Sequence, residues 1–118
     1  AGASAYFQTG VVSYSNEAKR DILGVDMEDI IRYGAVSETV AIQMAEGAKR
    51  AGGSDYAIST TGIAGPTGGS AEKPVGTVWF GVATPKGSFS VMKNCGTDRQ
   101  QIIDRAVAHA IKLLYDNL

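Results

Sequence analysis

The order of signals along this 118-residue chain predicts one α/β domain. Three observations carry that expectation. Stretches rich in aromatic and β-branched residues alternate with helical patterns that open on a capping side chain and close on glycine. A turn signal between two such stretches predicts an antiparallel hairpin. The length suffices for one hydrophobic core but not for two.

Taken in order, Phe7 to Ser15 (FQTGVVSYS) reads as a strand. Asn16 is placed to cap a short helix over Glu17 to Leu23, which Gly24 ends. Asp26 opens a second short helix through Met27, Ile30 and Ile31, stopping at Gly34. Ser37 caps a third, with Val40, Ala41, Met44, Ala45 and Ala48 on one face and Gly52-Gly53 closing it. Tyr56 to Thr61 (YAISTT) reads as a buried strand, followed by a glycine-rich loop from Gly62 to Gly69 that runs on to Lys73-Pro74.

Thr77 to Ala83 and Ser88 to Lys93 are the two arms of the hairpin. Between them, Thr84-Pro-Lys-Gly87 suits a type I turn. Thr97 and Gln100 have capping-box spacing at the head of a last helix. Its inner face is expected to carry Ile103, Val107, Ala110 and Leu114. The crossover between the first two strands is expected to be parallel and right-handed.

Composition excludes several classes of function. A net charge of −1 and the lack of any basic stripe leave no electrostatic basis for binding nucleic acid or an anionic membrane. No apolar run approaches the roughly 20 residues that a membrane helix needs. The opening residues, Ala1 to Phe7, lack the basic flank and apolar stretch of a signal peptide. A single cysteine, Cys95, cannot form an internal disulfide, so a cytoplasmic location is expected.

Few groups can carry chemistry. The loop has four glycines within eight residues, which permits close approach of backbone N–H groups to a ligand. It matches neither the Walker pattern nor G-x-G-x-x-G, so a plain surface loop stays open as the other reading. Tyr14, Ser15, Asn16 and Lys19 cluster where a strand is expected to pass into a helix, a usual place for active-site groups in α/β folds. Lys19 is either a base with a lowered pKa or a solvated surface charge. Arg99 is either an anion-binding fork or surface charge beside a cap. His109, the only histidine, falls mid-helix beside the apolar face, an awkward place for a triad base. Cys95 reads as a small apolar filler, with a nucleophile left open by its place near a helix start, and one His with one Cys excludes a thiolate–imidazole metal site within one chain.

Five blocks, in order, carry a resemblance: Val11 to Lys19 (VVSYSNEAK), Gly34 to Ser37 (GAVS), Thr61 to Pro66 (TGIAGP), Glu72 to Trp79 (EKPVGTVW) and Asp98-Arg99. Together they resemble the CinA C-terminal domain family. The resemblance implies a three-layer α/β/α fold whose mixed, mainly parallel sheet carries the C-terminal antiparallel hairpin. It implies deamidation of nicotinamide mononucleotide to nicotinate mononucleotide and ammonia, by a serine nucleophile and a lysine base, with no metal or other cofactor.

Lys19 is then the base and Tyr14 the neighbour that positions it. Asn16, Thr61, Gly62, Gly65 and Pro66 contact the substrate, and Arg99 meets its phosphate. Partners are a small-molecule nucleotide and further copies of the chain in a homo-oligomer, with no nucleic acid and no membrane. Family domains begin with a helix and a strand leading to a Glu-Ser-Cys-Thr-Gly-Gly turn that supplies the serine. This sequence lacks that motif, and Ser4, Ser13, Ser15 and Ser37 do not replace it. The expected domain therefore lacks its first helix, first strand and nucleophile turn, about a third of a typical small domain. The alternative to an amidohydrolase is a non-catalytic nucleotide-binding or oligomerisation module of a larger CinA-type protein.

Overall fold

The computed structural model describes residue 3 and residues 6–118, so Ala1, Gly2, Ser4 and Ala5 lie outside the described residues. Its elements run α1 (Asn16–Leu23), α2 (Met27–Tyr33), α3 (Glu38–Gly52), β1 (Ala57–Gly62), β2 (Thr77–Thr84), β3 (Gly87–Asn94) and α4 (Arg99–Asp116). No described helix is long and apolar enough to cross a membrane.

Capping residues set most of the helix bounds. Ser15, not Asn16, caps α1, its hydroxyl accepting from the Ala18 N–H at 3.0 Å. Asp26 and Ser37 cap α2 and α3 as expected. Gly24 and Gly53 close α1 and α3 in the left-handed conformation that a side chain resists. At α4 the expected box is shifted by one residue. Asp98 caps Gln101, whose side chain reaches back to the Thr97 N–H. Aspartate is at least as good a cap as threonine, and its glutamine sits at the right spacing too.

The three strands form one antiparallel sheet in the order β1-β2-β3. The hairpin between β2 and β3 is present, with Thr84 opposite Gly87 across Pro85-Lys86. The expected strand from Phe7 to Ser15 is not formed: residues 7–14 are neither helix nor strand. Accordingly, no parallel pair occurs among the described residues, and the sheet is not the mixed, mainly parallel one expected. The physical reason is that β-branched residues favour an extended backbone, but a strand exists only where a neighbour satisfies its N–H and C=O groups. No described strand lies hydrogen-bonded beside this segment.

Helix α3 covers one face of the sheet. Gly81 allows this: a methyl group there would lie 2.1 Å from the Ala41 carbonyl oxygen. On that side Leu23, Val25, Ile30, Val40 and Met44 form one core cluster. On the other face, Val78 and Phe80 pack with Cys95, Ile102 and Ala110, which brings in α4. The inner face of α4 therefore differs from expectation. Of the expected residues Ala110 is buried, but Ile103 is 38% exposed and Val107 54%, and Ile102, not expected there, is buried instead. This helix carries two adjacent apolar stripes of the same period, and periodicity alone does not say which one meets the sheet.

Candidate active site

A trench of about 1190 Å³ runs between the 6–14 segment and the free side of β1. Lys19, Leu23 and Met44 line it from the first and third helices, Arg99 and Leu114 from α4, and Leu118 from just past the end of α4. Its β1 wall is an open sheet edge. The Ile63 N–H donates to Thr77 and the Ile63 carbonyl accepts from Gly76, so both backbone groups of Ile63 face β2. Strand alternation then turns the N–H and C=O groups of Ile58, Thr60 and Gly62 toward the trench.

Lys19 is the one buried charged side chain among the described residues, only 8% exposed. It sits one turn into α1, and its Nζ donates to the Ser13 carbonyl at 3.0 Å. Loss of hydration holds its pKa below the ordinary lysine value, because burial disfavours the charged form. No described carboxylate lies within ion-pair distance to counter this. Lys19 is therefore a buried amine and not an exposed surface charge.

The other expected site residues divide. Tyr14, Thr61, Gly62 and Arg99 line the trench with Lys19. Asn16, Gly65 and Pro66 do not line it. Tyr14 is 91% exposed and makes no hydrogen bond to Lys19, so nothing in this arrangement has it position the ammonium. Asn16 is an exposed first residue of α1. The Thr61 hydroxyl is already committed, donating to the Ala35 carbonyl at 2.8 Å. Arg99 is exposed and donates from Nη1 to the Gly65 carbonyl at 3.0 Å, leaving guanidinium N–H groups to spare.

That bond gives the glycine loop, residues 63–76, a fixed place beside the trench. The loop doubles back on itself. Methyl groups at Gly65 and Gly69 would collide with Val75, at 2.6 Å from its side chain and 2.7 Å from its nitrogen respectively. On its other flank the Lys73 ammonium donates to the Tyr33 carbonyl at the end of α2. Sequence reasoning marked Lys73 only as the far end of the loop. The signal available was a lone cation beside a proline in the Glu72 to Trp79 block, with a glycine at position 34 to receive it.

His109 and Cys95 lie away from the trench. The His109 ring meets Phe80 edge-on, 4.8 Å between centroids, and its buried Nε2 has no partner among the described residues. Burial, then Lys93 and Lys112, push its pKa down. Cys95 is buried, and that burial pushes its thiol pKa up, so it has the environment of a filler rather than a nucleophile.

In chemical terms, the trench offers a buried amine whose charged form is disfavoured by burial, outward backbone N–H donors and an exposed guanidinium. A family model described as the CinA C-terminal domain matches residues 1–118. The nicotinamide-nucleotide amidohydrolase PncC of Escherichia coli K12 is 50% identical over 116 residues, 98% of this chain and 70% of that protein. A CinA-like protein of Chlorobium limicola is 54% identical over 98 residues, covering 83% of this chain and 23% of its own length. Among solved structures, the competence/damage inducible protein CihA from Agrobacterium tumefaciens superposes with a TM-score of 0.94 at 42% identity. That match covers 98% of this chain and 72% of the other.

Proposed function

The chain belongs to the CinA C-terminal domain family, and on that footing we propose that it forms the base-bearing and phosphate-binding part of a nicotinamide mononucleotide amidohydrolase. The observation that carries this reading is the buried Lys19 ammonium, held without a counter-ion in the wall of a trench that Arg99 also lines. The 50% identity to an enzyme named nicotinamide-nucleotide amidohydrolase supports the substrate class.

Amide hydrolysis requires a nucleophile, a proton acceptor that later serves the leaving ammonia, and donors for the oxyanion. Neutral Lys19 takes the proton from a serine hydroxyl as its oxygen bonds to the carboxamide carbon. The protonated amine then gives that proton to the departing nitrogen as the carbon–nitrogen bond breaks. Water attacks the acyl ester as the same amine takes its proton. The amine passes that proton to the serine oxygen as the ester bond breaks and nicotinate mononucleotide leaves. Desolvation of Lys19 favours the neutral form that the first step needs. The outward N–H groups of Thr60 and Gly62 are donors available to the oxyanion, and the spare N–H groups of Arg99 are available to the phosphate.

The serine comes from the family's Glu-Ser-Cys-Thr-Gly-Gly turn, which this sequence does not contain. That absence favours a second reading for the 118 residues by themselves, a nucleotide-binding module without turnover. Calorimetric titration with nicotinamide mononucleotide, paired with an ammonia assay, tests both. Binding without ammonia release is the expected result for this chain. Ammonia release would overturn the placement of the nucleophile outside it, and failure to bind would overturn the nucleotide reading altogether.

A further inference from the structure

Fourteen residues separate β1 from β2, and hydrogen bonds close the two ends of that loop firmly. Ile63 pairs with Thr77 and Gly76, and the Thr77 N–H and hydroxyl both donate to the Pro74 carbonyl. Between Ala64 and Lys73, two side-chain bonds tie the loop to other elements among the described residues: Arg99 on Gly65, and Lys73 on Tyr33. The Lys73 backbone is fixed as well. Its N–H donates to the Ser70 hydroxyl at 3.0 Å, and its carbonyl accepts from the Ser70 N–H at 2.9 Å.

The receiving end is equally specific. The carbonyls at the exit of α2 are taken in turn, Tyr33 by Lys73, Gly34 by the Ser37 hydroxyl and Ala35 by the Thr61 hydroxyl. A cation at a helix C-terminus gains from both the hydrogen bond and the helix dipole. Gly34 makes room for it: a methyl group there would lie 2.8 Å from the Lys73 Nζ, at a φ of 84° that side chains already resist.

We propose that Lys73 is a positioning residue: seated on the Tyr33 carbonyl, it holds Val75 against Gly65 and Gly69, and so keeps the glycine loop in place when Arg99 leaves Gly65 for a ligand's phosphate. The two tethers have different duties. Arg99 is an exposed fork whose loop bond competes with anion binding, whereas Lys73 is half-buried and does not line the trench. The loop keeps its shape through the exchange only if one tether does not take part in it. This inference rests on the reading of Arg99 as the phosphate's partner.

The test is amide hydrogen exchange on the 118-residue chain, with and without nicotinamide mononucleotide, beside calorimetric titration of the same ligand. Lys73→Ala is expected to speed exchange of the Ser70 amide, which donates to the residue-73 carbonyl, roughly tenfold, the scale of one lost charged hydrogen bond. The amides of the β1–β2 ladder should be unchanged. Ligand binding should weaken by roughly the same factor, and Lys73→Arg should restore both readouts. Gly34→Ala, which keeps the charge but occupies its seat, should reproduce Lys73→Ala. Unchanged loop exchange in both variants, or an arginine variant no better than alanine, overturns the proposal. If the wild-type chain binds no nucleotide, the functional reading falls, and the exchange comparison still decides what Lys73 does.

Discussion

The Lys19 ammonium donates to the Ser13 carbonyl at 3.0 Å, tying the first helix back onto the extended segment that precedes it. That bond accounts for the direction in which the side chain runs and for its loss of water. The expected consequence is a stability profile that depends on this one amine. In the folded chain its pKa lies below the ordinary value of 10.5. Between the folded and unfolded values the unfolded chain binds more protons, so stability rises with pH across that window. Below the folded value the full penalty is present. Lys19→Met should therefore be at least as stable as wild type at neutral pH, with its advantage shrinking towards pH 10.5. Urea unfolding at intervals from neutral pH upward checks this, and parallel profiles would remove Lys19 from the account.

In a longer protein that contains the nucleophile turn, Lys19→Ala and Arg99→Ala should fail differently. Removing the base should lower kcat by about 10²–10⁴-fold with little change in KM. Removing the guanidinium should raise KM while leaving kcat within a few-fold, since a phosphate contact is present in ground and transition states alike. Steady-state kinetics on both variants decides the assignment. A Lys19→Ala enzyme with near-normal kcat would return Lys19 to a packing role.

Gly47 in the middle of α3 reverses the usual sign of a glycine-to-alanine change. Helix propensity alone favours alanine by about 1 kcal/mol. Here the added methyl group would lie 1.9 Å from the Leu23 carbonyl oxygen, a backbone atom with no rotamer to move into. Gly47→Ala is expected to destabilise the fold by about 2–3 kcal/mol, the scale of forced overpacking. A thermal melt of the variant measures it, and a raised Tm would contradict the close packing of α1 on α3.

Cys95 should resist modification. Burial raises its thiol pKa, and the nearby cations Arg105 and Lys93 only partly oppose that. A thiol reagent such as dithionitrobenzoate is expected to react at neutral pH only as fast as the chain unfolds, and stoichiometrically in denaturant. Rapid reaction under native conditions would place the sulfur at the surface.

Local signals sufficed wherever the physics is local. The caps at Asp26 and Ser37, the left-handed glycines 24 and 53, the hairpin across Pro85-Lys86 and the apolar face of α3 were all legible, because each depends on residues within a turn or two. The family resemblance brought eight residues forward as site candidates; Tyr14, Lys19, Thr61, Gly62 and Arg99 line the trench, and Asn16, Gly65 and Pro66 do not. The strand expected from Phe7 to Ser15 failed because a ladder needs a partner that no local pattern supplies. The α4 face failed because two stripes of equal period compete, and the sheet's side chains, Phe80 above all, select the one that meets it. Burial of the Lys19 amine and the seat of Lys73 on Tyr33 are likewise tertiary facts. The Tyr33 carbonyl is 40 residues from Lys73. Sequence determined which groups this chain can offer, and packing over that distance determined which of them lost water and which found a partner.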